Sequence, residues 1–161
     1  MSSRSFREEL ERCKDYGDVF VLVKRAVKQN IGRERAGLML YLGNLPLHVG
    51  AFYGVGSNGI VLNKRLIRLV AVNSATELNS YIFVLLLHEY LHSLGYLNEQ
   101  HVRSLVQEIS RKTFGADHPA TKFATAPPSL KIPPSELQPS GQDIELELIK
   151  DFERSNLSYI N

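Results

Sequence analysis

The stretch His88-Glu-Tyr-Leu-His92 sets two imidazoles four residues apart, with a carboxylate beside the first. On an α-helix, residues i and i+4 share a face, so His88 and His92 project together and can converge on one ion. Glu89 is rotated about 100° from His88, which places it beside such an ion rather than on it. The chemistry this permits is metal-assisted hydrolysis. A metal, expected to be zinc, lowers the pKa of a bound water to about 7 and polarises a carbonyl, while Glu89 as general base moves the water's proton to the leaving amine. The competing explanation is that both histidines are merely polar residues on a buried helix. Against it, the pattern arises by accident on the order of once in a hundred chains of this length and composition. Two imidazoles and a carboxylate on a buried helix are also costly unless something compensates them.

A helix must carry this pattern, and its ends are written in the flanking residues. Ser74-Ala-Thr-Glu77 has the spacing of a capping box, in which hydroxyl and carboxylate satisfy backbone donors at a helix start. Gly95 is a natural C-terminal stop. The middle of the segment, "YIFVLLL", is apolar on every side, which predicts burial at the domain centre. Asn98 opens another helix, "EQHVRSLVQEISRKTF", with Val102, Leu105, Val106 and Ile109 on one face.

Upstream, "AGLMLYLGNLP", "HVGAFYGV" and "GIVLN" read as strands, and Asn58-Gly59 is a strong hairpin signal. Between Ser5 and Gln29 apolar residues recur at helical spacing, with Gly17 as the weak point, predicting one long or broken amphipathic helix. The expected fold class is α+β: a small, roughly three-stranded, mainly antiparallel sheet packed on the buried helix and on further helices. That unit is expected to span 1–124. The stretch "APPSLKIPPSELQPSGQ" contains five prolines, so 125–142 reads as an extended linker. The remainder, 143–161, recovers helical spacing through Ile144, Leu146, Leu148, Ile149 and Phe152, and reads as an amphipathic tail able to dock on this chain or on a partner.

A chain of 161 residues accommodates one domain with a real core but not two comfortable ones. The formal net charge of +2 creates no strong field, so neither nucleic acid nor a membrane is favoured as partner. There is no Gly-rich phosphate loop and no nucleophilic Ser-His-Asp arrangement. The N-terminal residues lack an apolar segment before their charges, so they do not read as a secretory signal. The longest apolar run, Tyr81 to Leu87, falls far short of the roughly 20 residues of a membrane helix. Cys13, the one cysteine, fits a reducing compartment. A soluble, cytoplasmic protein is the expectation.

With "HEYLHSLG" closing a buried helix and a small sheet before it, the chain resembles the zincin clan of zinc metallopeptidases from Ala36 to about Phe114. It is most similar there to small gluzincin-like minimal zincins. The resemblance implies a peptidase in which a strand of peptide or unfolded-protein substrate adds to the sheet edge above the active-site helix, and "GIVLNKRLI" is the stretch placed at that edge. The chain departs from the metzincin pattern, because Asn98 stands where that pattern carries its third histidine. Met1 and Met39 are the only methionines, so the methionine turn is absent too.

The third ligand therefore comes from elsewhere. Glu99, at the first turn of the next helix, is the first choice, with Glu108 and His118 as alternatives and His101 a further candidate. Each has an ordinary role as well: Glu99 as an acid at a helix start, Glu108 as a solvated flank, His118 in a loop, His101 covering a helix edge. Cys13 could cap the metal as a thiolate, but a half-buried helical cysteine is more often a small hydrophobe. His48 either borders the cleft or is a plain sheet-edge residue. Tyr53, Tyr81, Tyr96, His101 and His118 are the candidates for stabilising an oxyanion. The function expected is a zinc-dependent peptidase, kept latent if the tail lies in the cleft. The alternative is a zinc-stabilised, catalytically silent protein-binding module.

Overall fold

The computed structural model describes residues 5–137 and 145–153. Its central element is the helix that carries the two histidines, α4 (Ala75–Ser93). The helix begins where the Ser74 hydroxyl accepts the Glu77 N–H at 3.1 Å. It ends in a left-handed Gly95 at φ 105°. Past that glycine, the Gly95 and Tyr96 N–H groups turn back onto the carbonyls of His92 and Leu91, which satisfies the last turn as a Schellman motif does. Phe83, Leu86, Leu87, Tyr90 and Leu91 on this helix are fully buried, so the all-round apolar segment is the core itself.

Five further helices surround it: α1 (Phe6–Arg12), α2 (Tyr16–Ile31), α3 (Lys64–Ala71), α5 (Glu99–Phe114) and α6 (Pro119–Thr125). The N-terminal segment is two helices. The break falls at Cys13 to Asp15, ahead of the expected Gly17, because Asp15 adopts an extended backbone and caps α2 by accepting the Asp18 N–H at 2.9 Å. Gly17 lies inside α2 and is buried. The start of α5 is fixed by Asn98, whose side chain accepts the His101 N–H.

The α+β class stands, and among the described residues the sheet is four-stranded, mixed and open. β1 (Met39–Gly43), β2 (Ala51–Tyr53), β3 (Gly59–Asn63) and β4 (Glu147–Ile149) lie in the order β2-β3-β1-β4. Two of the sheet's three pairings are antiparallel, as expected of a mainly antiparallel sheet, but the roughly three-stranded expectation gains a fourth strand and is corrected in two further respects. First, β1 and β3 are parallel, Leu40 opposite Ile60 and Leu42 opposite Leu62, because the chain leaves β1, forms the β2–β3 hairpin and returns inside it. Asn63 holds that return. Fully buried, it donates to the carbonyls of Leu45, Pro46 and Val49 and accepts from the Leu45 and Arg65 N–H groups, so an otherwise unpaired loop is satisfied by one side chain. Second, "GIVLN" is an interior strand, and the edge beside α4 is β2; the following "KRLI" belongs to α3. The hairpin itself is present, Phe52 facing Val61, but its left-handed residue is Gly56, not the Asn58-Gly59 pair.

The fourth strand comes from the tail, which was expected to be helical. Glu145-Leu-Glu-Leu-Ile149 alternates polar and apolar, and period two prevails: Ile149 pairs with Leu40 and Leu148 with Tyr41. Phe152 is then buried and stacks on Phe20 at 4.2 Å between ring centroids. Glu153 bridges Lys24 at 2.9 Å and accepts the Leu38 N–H. Residues 147–153 of the tail therefore dock within this chain, on the sheet edge opposite β2 and not in the cleft. Residues 127–133 of the Pro-rich stretch have no regular secondary structure, and a 3-10 turn, Pro134–Leu137, follows them. The parts of the linker and tail expectations that fall on 138–144 and 154–161 lie outside the described residues.

No helix among the described residues is long and apolar enough to cross a membrane.

Candidate metal centre

The short turn after Gly95 delivers the first residue of α5 onto the histidine face of α4. Glu99 Oε1 lies 2.9 Å from His88 Nε2 and 2.9 Å from His92 Nε2. The two rings are 5.0 Å apart, and the three donor atoms lie within 4.8 Å of one another. The geometry therefore brings together His88, His92 and the first-choice Glu99. The other Glu99 oxygen accepts from Arg103 Nε at 3.2 Å.

One hydrogen bond reveals what this arrangement needs. His92 Nδ1 lies 2.8 Å from the Tyr96 carbonyl. A carbonyl can only accept, so Nδ1 carries the hydrogen and a neutral ring presents a bare lone pair at Nε2. That lone pair faces a carboxylate oxygen. Two acceptors at this distance repel unless a cation, proton or metal, lies between them. A carbonyl behind a ligating histidine is also the usual way its tautomer and orientation are set. For tetrahedral zinc, bond lengths of about 2.0–2.2 Å put donor atoms about 3.3–3.6 Å apart. The Glu99 side chain, half exposed, has the freedom to move outward by that small amount. The donor set thus fits a divalent metal.

The electrostatics agree. Burial lowers the pKa of His88, against the pull of Glu99, which favours the neutral, ligating ring. Burial alone would raise Glu99, but in the metal-free chain protons shared with His88 Nε2 and His92 Nε2, in the place a metal would take, outweigh it and hold the carboxyl below its usual value. Glu89, only 6% exposed, lines the same cleft. Its pKa is pushed up to about 8, first by burial and then by the charge of Glu99.

The cleft, about 330 Å³, runs between these residues and the edge strand β2, with Val55 and Leu97 on its two flanking loops. Arg35 ties β2 and the hairpin loop to the end of α4. The guanidinium donates to the Ser93 carbonyl at the end of α4 at 2.7 Å, to Tyr53 Oη on β2 at 3.1 Å and to the Ser57 carbonyl in the hairpin loop at 3.2 Å. Its backbone N–H donates to Tyr90 Oη. Neither Arg35 nor the Tyr96 carbonyl was singled out from sequence: arginines carry no local signature for such a tie, and a backbone oxygen has no letter of its own.

The other candidates fall elsewhere. Glu108 is a solvated flank, paired with Lys112 at 3.0 Å, because it sits on the outer face of α5. His101 is exposed and packs edge-on against Tyr96. His48 is exposed in the β1–β2 connection. Cys13 lines a separate surface pocket with Glu9 and Arg25, and burial first, then Asp18, push its thiol up to about 12, so it is no ready thiolate. Of the tyrosines offered for an oxyanion, Tyr53 lines the cleft. Tyr81 is buried against Phe123, its hydroxyl pushed up to about 12 by burial, and the Tyr96 ring lies under Arg33.

His118 is a helix cap, not a ligand. Its Nδ1 accepts the Ala120 N–H at 3.1 Å and its ring stacks on Phe114. It is 4% exposed, and burial, with the positive charge of Arg7, lowers its pKa from 6.5 to about 4. The unfolded chain therefore binds this proton at a pH where the folded chain does not, so the stabilising contribution is whole above about pH 6.5 and is lost as pH falls toward 4. Between pH 8 and pH 5 wild type should lose about 2 kcal/mol through this group. His118→Asn, which keeps a capping oxygen, should flatten that part of the curve in urea titrations. An unchanged slope would refute the assignment.

No protein family, curated protein or solved structure was found to match the chain.

Proposed function

We propose that this protein is a zinc-dependent peptide-bond hydrolase. The observation that carries the reading is the convergence of His88 Nε2 and His92 Nε2 on one oxygen of Glu99, with the Glu89 carboxyl buried beside them in the same cleft. The resemblance of "HEYLHSLG" to the zincin clan supports it. So does the donor count, because catalytic zinc sites commonly use three protein ligands whereas structural sites close with four.

When bound, the zinc lowers the pKa of water to about 7, polarises a carbonyl and supplies a positive charge that opposes the two causes holding the proton on Glu89. The chain's own residues do the rest. His88, His92 and Glu99 hold the ion, and the Tyr96 carbonyl and Arg103 orient two of those ligands. Glu89 takes a proton from water at a carboxylate oxygen and gives it to the leaving amine. Among the described residues β2 has a strand neighbour on one side only, β3. Its other edge offers backbone groups to an extended peptide, a mode of binding that demands little of the side chains. Arg35 ties β2, through Tyr53, to the end of α4, through the Ser93 carbonyl.

Full-length protein incubated with zinc should bind one ion per chain and cleave an unfolded protein, and a chelator should abolish cleavage reversibly. Binding without cleavage of any unfolded protein or peptide library would overturn the hydrolase reading in favour of a zinc-stabilised, catalytically silent binding module.

A further inference from the structure

Among the described residues seven large apolar side chains are exposed to water; Val72, Ile132, Leu146 and Leu148 lie away from the metal-site cleft, and the other three line it. Val55 is 73% exposed and Leu97 is 59% exposed, and both line the metal-site cleft. They come from separate segments: Val55 from the β2–β3 loop, Leu97 from the turn between α4 and α5, two residues before Glu99. Neither is needed by the core, which is complete beneath them. Phe52 also borders the cleft, but by register it shares a sheet face with Val61 and Tyr41, away from the helical core. Apolar groups left in water on both sides of a cleft are recovered only when another apolar group enters between them.

We propose that Val55 and Leu97 determine substrate selectivity, favouring an extended peptide that carries a large aliphatic or aromatic side chain beside the bond at the metal site. The inference rests on the peptidase reading for the word substrate, but its physical content is a binding preference. Backbone pairing with β2 would accept any extended peptide, so the preference must come from side chains at the flanks. Leu97 is joined by a short turn to the ligand Glu99, so a side chain packed on it lies next to the reacting groups. Packing a leucine between two aliphatic side chains, where serine gains nothing, is worth about a tenfold difference in affinity.

The test separates binding from cleavage. Full-length Glu89→Gln, supplied with zinc, is titrated into two end-labelled peptides of alanine, glycine and serine that differ only by leucine or serine at one central position, read by fluorescence anisotropy. The leucine peptide should bind about tenfold tighter. Val55→Ser with Leu97→Ser should bring the ratio near unity while leaving affinity for the serine peptide unchanged. Both positions are exposed, where substitutions rarely disturb the fold. Equal affinities, a ratio that survives the double substitution, or no binding would overturn the proposal. Wild-type cleavage of the same peptides is followed in parallel. A leucine peptide selectively held but never cut overturns the hydrolase reading and supports the selectivity, whereas cleavage without preference overturns the selectivity alone.

Discussion

Glu89→Gln is expected to reduce peptide-bond hydrolysis by about 10²–10⁴-fold, the usual contribution of a positioned general base, while zinc remains bound. The amide has nearly the shape of the carboxyl, so the buried position stays filled, and none of the three donor atoms is touched. What is lost is the group that accepts the proton. Stability moves the other way. In the metal-free chain the Glu89 pKa rises from 4.5 to about 8, so the folded state holds a proton that the unfolded state releases. Stability from this group therefore falls as pH rises through that window. Metal-free Glu89→Gln should accordingly melt at a higher temperature than metal-free wild type at neutral pH. A loss of hydrolysis below about tenfold, with zinc retained, would remove Glu89 from the role of base.

The second large effect concerns the third ligand. Glu99→Ala should weaken zinc binding by about 10²–10³-fold, taking the roughly 10–16 kcal/mol of a protein zinc site as shared among its ligands. It removes the oxygen on which both histidines converge and leaves Arg103 without its carboxylate partner. Glu108→Ala and His118→Asn are the controls. One residue pairs with Lys112 in solvent and the other caps α6, so both variants should bind zinc as wild type does. Competition with a chromophoric chelator measures all three affinities. If Glu108→Ala weakens binding as much as Glu99→Ala, the ligand set is wrong.

Much of the site could be read from the chain because its determinants are local. Ser74, Gly95 and Asn98 each end or begin a helix through contacts within a few residues, and the spacing of His88 and His92 needs nothing but a helix. Glu99 was within reach because the turn before it is short. Other features were hidden because they depend on distant partners. Nothing near Met39 says that its strand will run parallel to one beginning at Gly59. Leu146, Leu148, Ile149 and Phe152 suit a helical face, and the Glu-Leu alternation suits a strand equally well; the unpaired edge of β1 decides between them. Asn63 and Arg35 act on backbone oxygens of other segments. His118 looked like a free ligand until the helix it caps was visible.

The C-terminal strand has a consequence for the order in which the molecule assembles. Ile149 pairs with Leu40 across more than a hundred positions, a closure that is entropically slow and, during synthesis, waits for residues 147–149 to emerge. His88 and Glu99 are only eleven positions apart. The corner that could hold a metal is thus a low-contact-order unit and the completed sheet a high-contact-order one. Zinc capture is expected early, as a nucleus for the α4–α5 pair, with β4 sealing the far edge as the final step.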